Sequence, residues 1–177
     1  KNTSQANKLY KIPINIINSD KINFDIKEYF YNSKHAPHYL TAINIFSTYP
    51  IFGIGIDNFK EESKKDKYYD KELTFSEERS SSHPHQLYFE LLAEVGLFGF
   101  IYFLAIFIWS LQASIRSYFM SNNPILLGHI MLYIFFIFPI LPSGSFFGTT
   151  YGLPFWFNFA ILIYLINQKF LKFIIKK

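Results

Sequence analysis

The second half of the chain is almost devoid of charge. Residues 87–177 hold only five of the 17 Lys and Arg residues and two of the 13 Asp and Glu residues, and they are crowded with Phe, Ile, Leu and Tyr. A water-soluble fold needs a polar exterior, and this half cannot supply one. Apolar runs of this length instead match the hydrocarbon core of a bilayer, which about 20 helical residues cross at roughly 1.5 Å each. Residues 1–86 have the opposite character, with 12 basic and 11 acidic residues. The division predicts an all-α membrane protein. An outward-facing, partly helical loop domain over 1–86 precedes three transmembrane helices over 87–177, at about 87–115, 125–142 and 153–168.

Composition excludes several functional classes. The net charge of +4 has its surplus at the ends of apolar segments rather than on one basic face, which speaks against a nucleic-acid partner. The chain has no Cys, which removes disulfide scaffolds, thiolate metal sites and Cys nucleophiles. An aromatic content of 21% is high for a disordered chain. The sequence opens at Lys1 in polar residues, with no signal peptide, and reads as the C-terminal piece of a larger protein.

Local patterns place the elements. The alternation of Ile12, Ile14 and Ile16 is a weak strand signal within an expected loop over 1–34. Residues 36–49 read as a helix, with Pro37 in the first turn and an apolar stripe of Tyr39, Leu40, Ile43 and Phe46. Tyr49-Pro50 ends it, because the residue before Pro avoids the α region. Residues 50–59 form a glycine-punctuated turn, and the charged stretch 60–82 a solvated loop that could serve as a lid. Ser82-His83-Pro84 reads as a helix start, which places His85 in the first turn. Trp156 and nearby Tyr and Phe suit an interfacial belt. Arg116 follows the first span, and Lys169, Lys172, Lys176 and Lys177 follow the third. The positive-inside rule calls that side cytoplasmic, which puts 1–86 outside, in the periplasm if the cell has two membranes.

Two motifs carry the chemistry. In His85-Gln86-Leu87-Tyr88-Phe89-Glu90-Leu91-Leu92-Ala93-Glu94-Val95-Gly96-Leu97-Phe98-Gly99, nine residues separate His-Gln from Gly96, and two more separate Gly96 from Gly99. This resembles the signature of the O-antigen ligase and polymerase superfamily. Tyr49-Pro50-Ile51-Phe52-Gly53-Ile54-Gly55-Ile56-Asp57-Asn58-Phe59 resembles that superfamily's glycine turn, and the two come in its order. The resemblance covers roughly residues 35–170. It implies a multi-pass membrane glycosyltransferase that moves a glycan from an undecaprenyl-pyrophosphate carrier to an acceptor, without a metal or other cofactor. The acceptor would be lipid A–core in a ligase, another lipid-linked repeat in a polymerase, or a protein hydroxyl in an oligosaccharyltransferase. One departure stands out: the superfamily's Arg about 15 residues before the glycine turn, and the Trp four residues beyond it, are replaced by His35 and Tyr39. Either His35 or His38 would take the task of gripping phosphate, or another residue such as Arg79 would.

The residues support a role for His85 without the resemblance. At the positive end of a helix dipole, imidazolium is disfavoured, so His85 is expected to be neutral and able to accept a proton near pH 7. Lipid pyrophosphate is a good leaving group, so a base and cationic phosphate contacts suffice. Arg79, His35, His38, His83 and Gln86 are the candidate contacts; His83 and His85 lack a third metal ligand. Lys60, Lys64, Lys65 and Lys67 are interspersed with Glu61, Glu62 and Asp66 and read as plain surface. Glu90 and Glu94 share a helix face and either line or support the site or serve the structure alone. Gly53 and Gly55 suit a tight turn, and Gly96 and Gly99 close helix approach. His129, alone in an apolar span, is expected to be hydrogen-bonded within the bundle. The contrasting reading is a transporter subunit with 1–86 as a binding domain; it requires broken helices and charge at mid-membrane.

Overall fold

The computed structural model describes residues 30–175, with side chains through Gln168. The expected loop over 1–34 lies mostly outside this range, as do the side chains of the four tail lysines. Among the described residues the regular structure is entirely helical. The elements are α1 (Ala36–Thr48), α2 (Phe59–Ser63), 3₁₀ turns at Asp66–Tyr68 and Ser76–Arg79, α3 (Leu87–Ser121), α4 (Pro124–Ile137) and α5 (Thr149–Ile175).

Helix α1 matches the expected range, with Pro37 in its first turn and Tyr49 N–H closing the last turn onto Ile45 O at 2.9 Å. Its buried face differs from the expected stripe. Ala36, Pro37, His38, Thr41, Ala42 and Ile45 are buried, whereas Ile43 is exposed. Thr41 and Ala42 are small enough to bring α1 close to α3, and that contact, rather than the bulk of Ile43, sets the rotation of the helix.

Helix α3 is interrupted at Gly96, whose φ of 65° and ψ of −170° are non-helical. A straight helix would bond Leu97 N–H to Ala93 O and Phe98 N–H to Glu94 O. Here the glycine turn takes all four groups. Ile54 N–H donates to Ala93 O at 3.1 Å and Gly55 N–H to Glu94 O at 2.8 Å. In return Leu97 N–H donates to Pro50 O at 2.8 Å and Phe98 N–H to Ile51 O at 3.2 Å. These four backbone groups are therefore paired despite the break. A Cβ on Gly53 would lie 2.4 Å from Glu94 C, and one on Gly96 would lie 2.5 Å from Gly53 N. The two sequence motifs thus dock backbone to backbone, which only glycine permits.

Two apolar clusters meet along Leu87–Val95. One joins Ala42, Ile45, Phe59, Tyr68 and Ala93, with Ile54 and Phe89 beside it. The other is the bundle core, built on Leu87, Leu91, Phe107, Leu126, Ile130, Tyr133, Phe136, Phe146, Phe155 and Leu162. The first nine residues of α3 thus belong to both. Beyond Gly96, Leu97–Ser121 runs about 37 Å at roughly 1.5 Å per residue, enough for a hydrocarbon core of about 30 Å.

Two of the three apolar helices, Leu87–Ser121 and Thr149–Gln168, are long enough to cross a membrane. The middle helix, expected to run to Pro142, stops at Ile137 after 14 residues. Pro139 is the reason, because Phe138 before it is extended, with ψ of 123°. The chain from 138 to 148 then crosses the His85 end of the bundle as irregular backbone. Such backbone is tolerated at membrane depth only where protein satisfies it. Tyr151 OH and Tyr88 OH donate to the last carbonyls of α4, Phe136 O and Ile137 O, each at 2.5 Å, and Gln86 Nε2 donates to Pro139 O at 2.9 Å. His129 is hydrogen-bonded in the bundle as expected, its Nδ1 2.7 Å from Asn158 Oδ1.

Candidate active site

His85 does not lie in the first turn of α3. The helix starts at Leu87, and Gln86 is its cap, with Oε1 accepting from Phe89 N–H at 2.9 Å. His85 stands just outside, in the left-handed region at φ 60°. A residue without glycine's freedom is rare there, and its neighbours hold it in place. Ser143 N–H, from the irregular 138–148 segment, donates to His85 O at 2.9 Å.

The turn points His85 toward three other imidazoles. Ring centroids lie 4.3 Å away for His83, 5.0 Å for His38 and 5.7 Å for His35. His35 and His38 come from the start of α1, and His83 and His85 from the approach to α3. His35 stacks on Tyr39 at 5.9 Å, and Tyr39 meets Phe89 at 5.1 Å, so aromatic rings wall one side of the cluster. Among the described residues, no three of His, Asp and Glu converge in a geometry suited to a metal ion.

Burial and mutual repulsion favour the uncharged form of His38, His83 and His85. Partial burial, followed by repulsion from His83, His38 and His35, lowers the pKa of His85 from 6.5 to about 4. Burial likewise lowers His38 and His83. The expected neutrality of His85 thus has a cause other than the helix dipole. His38 Nδ1 lies 3.1 Å from Arg79 O. A carbonyl can only accept, so Nδ1 carries the hydrogen and Nε2 is left as the acceptor.

Arg79 is placed differently from a free phosphate clamp. Its side chain is buried, with NH1 donating to Ser76 O at 3.2 Å and NH2 to Lys64 O at 3.0 Å. Nε is buried without a partner, and the guanidinium lies over the Tyr69 ring at 5.5 Å. Arg79 thus braces the charged loop, and its carbonyl orients His38. Three loop lysines are paired, Lys64 with Glu61 at 2.6 Å and Lys65 and Lys67 with Glu62 at 2.5 and 3.0 Å. Burial alone would raise the Glu62 carboxyl, but hydrogen bonds from Lys65, Lys67 and Tyr68 outweigh it and bring it down to about 2.

Glu90 and Glu94 fasten the surroundings of the cluster. Glu90 accepts from Ser145 Oγ at 2.6 Å and Phe146 N–H at 2.8 Å, tying the 138–148 segment to α3. Glu94 accepts from Asp57 N–H at 3.2 Å and Phe59 N–H at 3.3 Å, which joins the glycine turn and the start of α2 to α3. Ser143 escaped the sequence reading. It lies 58 positions beyond His85, just past the expected end of the second span at Pro142, and no local spacing links the two. Pro139 and Pro142 were the available signal that the helix had ended.

Residues 36–104 match the sequence model of a protein family described as O-antigen ligase. No curated protein and no solved structure matches the chain. The matched stretch contains α1, the glycine turn, the charged loop and His85, and it ends beyond the break in α3, while Ser143 lies outside it. Over residues 36–104, the segment that brings His38, His83 and His85 together beside the glycine turn, this chain is similar to the O-antigen ligase family.

Proposed function

We propose that the chain is the C-terminal part of a membrane glycosyltransferase of O-antigen ligase type, with His85 as its general base. The observation that carries this reading is the half-buried, uncharged His85 ring at the head of an apolar helix, within the family-matched segment. The donor would be a glycan on undecaprenyl pyrophosphate and the acceptor the lipid A–core oligosaccharide, on the periplasmic face of the inner membrane. In the transfer, the acceptor hydroxyl oxygen forms a bond to the anomeric carbon, and the bond from that carbon to the pyrophosphate oxygen breaks. The leaving pyrophosphate takes the electron pair, and His85 takes the hydroxyl proton.

The lowered pKa of His85 matters for this step. A base with pKa about 4 is poorly matched to neutral pH. A pyrophosphate beside the ring supplies negative charge that favours the protonated form. Donor binding would therefore strengthen the base at the moment it is needed. His35, the exposed member of the cluster, and His83 would meet the phosphates. Arg79 and Gln86 act as positioning residues, through the carbonyl that fixes His38 and the cap that starts α3.

His85→Ala and His85→Gln in the full-length protein test this directly. Loss of a general base typically lowers rate by about 10²–10⁴. Glycan transfer, read on gels of the acceptor, is expected to fall by that factor while membrane levels stay constant. Unchanged transfer would remove His85 from the mechanism. Deleting the gene separates the acceptors. Unligated polymer left on its carrier supports a ligase, whereas single-repeat glycan on the core supports a polymerase.

A further inference from the structure

The tip of the glycine turn is as apolar as the helix beside it. Ile51, Phe52 and Ile56 are exposed, Phe52 by 73%. The bonds from Leu97 and Phe98 to Pro50 and Ile51 lock this tip to the first turn of the span beyond Gly96. The Phe52 and Phe98 rings lie 6.1 Å apart, and Phe98 is itself 71% exposed. The same surface continues along α3 through Ile101, Tyr102, Ile108 and Trp109.

Residue size identifies what covers this face. Helices that pack on one another in a membrane meet through small residues. On α3 a row of them, Ser110, Ser114 and Ser117, is buried on the bundle side, and Ala105 is the one small residue among the exposed positions from Ile101 to Trp109. The outer face is bulky and aromatic instead, which suits acyl chains. The depth of the tip follows from the length of the span. Leu97–Ser121 exceeds a core of about 30 Å by roughly 7 Å at ~1.5 Å per residue, which puts its ends at the headgroup boundary. Above the tip the chain turns polar, and Lys67 Nζ sits over the Tyr49 ring at 5.2 Å. An apolar tip beneath an aromatic ring and a lysine is the composition of a membrane interface.

We propose that residues 51–56 are an interfacial anchor, buried in the acyl boundary of the bilayer leaflet at the His85 end. The anchor holds the glycine turn, and through it α1 and the histidine cluster, against the membrane surface, where a lipid-linked substrate would arrive. This inference rests on the membrane placement of α3 and not on the identity of the reaction.

Nitroxide labels in the full-length protein, reconstituted in phosphatidylethanolamine–phosphatidylglycerol vesicles, provide the test. This chain has no Cys of its own, so Phe52→Cys, Ile51→Cys, Phe98→Cys and Lys71→Cys can each be labelled in it. Collision with oxygen, which concentrates in the bilayer, is compared with collision with a water-soluble nickel chelate. The labels at Phe52 and Ile51 are expected to resemble Phe98, with oxygen dominating, and to differ from Lys71. Dominant nickel collisions at both tip positions would place the turn in water. Low collision with both reagents would show it covered by protein, and either result overturns the proposal.

Discussion

At the scale of single residues, His85 is defined by its neighbours. Its left-handed backbone leaves a carbonyl for Ser143 and turns the ring onto His83, His38 and His35. The lowered pKa values of His38, His83 and His85 have a consequence for stability. Between the unfolded value of 6.5 and the folded value, near 4 for His85, the unfolded chain binds more protons than the folded one. Stability therefore falls as pH drops through that window. Glu62 acts in the same direction at lower pH, since its stabilising ionised form is lost between 4.5 and about 2. Thermal unfolding of the purified protein in detergent is expected to shift downward from pH 7 to pH 4.5, and by less in the His85→Gln variant. An unchanged midpoint in that range would show that the cluster is not held neutral.

The residue-level chemistry was partly legible in advance. His85 was singled out by its place in a motif, and the glycines by their spacing. The left-handed turn was hidden, because a non-glycine residue in that region leaves no mark in a sequence. Its cause, the Ser143 amide, lies far along the chain. The charge of Arg79 and its place four residues before His83 suggest a phosphate contact, but neither reveals that two backbone carbonyls already engage the guanidinium.

At the scale of elements, the break in α3 is the main joint. Apolar periodicity reads straight through Gly96, so the sequence predicts one unbroken helix there. The structure exchanges two helical hydrogen bonds for four to the glycine turn. Gly96→Ala would place a Cβ 2.5 Å from Gly53 N and Ile51 O, in a backbone region costly for any L side chain. A non-glycine residue held in this region costs of order 1–3 kcal/mol, and the overlap adds to it. The variant is expected to unfold at a clearly lower temperature in detergent than Gly128→Ala, where an added Cβ meets nothing within 4 Å. Equal midpoints would mean that the two motifs do not dock as described. Glu94→Ala probes the same joint from the side chain. It leaves the Asp57 and Phe59 amides without their acceptor, and each unsatisfied group costs about 1–3 kcal/mol where water cannot replace it. Boundaries were legible where proline sets them, as at Tyr49-Pro50, and were misjudged where the apolar run outlasted the helix, as at Pro139.

At the scale of the whole molecule, the family-matched stretch and the bundle beyond it form one unit. Leu87–Val95 serves both apolar clusters, and the 138–148 segment reaches back to His85, Gln86 and Glu90. Across the change in charge at residue 86, Ala42, Ile45, Phe59 and Tyr68 pack with Ala93 and Phe89. Glu90→Ala removes the acceptor for Ser145 and Phe146. Hydrogen exchange at the Phe146 amide is expected to speed up, and glycan transfer to fall as Ser143 loses its register on His85. Unchanged exchange at Phe146 would show that Glu90 does not hold this segment. The low charge of the second half made the helical membrane class readable from composition, whereas the contact between a loop after the second apolar helix and the histidine cluster was not.

The most direct measurement is the pH dependence of glycan transfer by the purified full-length protein, with lipid-linked donor in excess, for wild type and for His85→Gln. The account predicts a wild-type rate that is level above neutrality and falls on acidification as His85 is protonated. It predicts an acid limb lying above pH 4, because bound pyrophosphate favours the protonated ring, and a variant rate about 10²–10⁴ lower with that limb absent. A variant that retains both the rate and the acid limb of the wild type would contradict it.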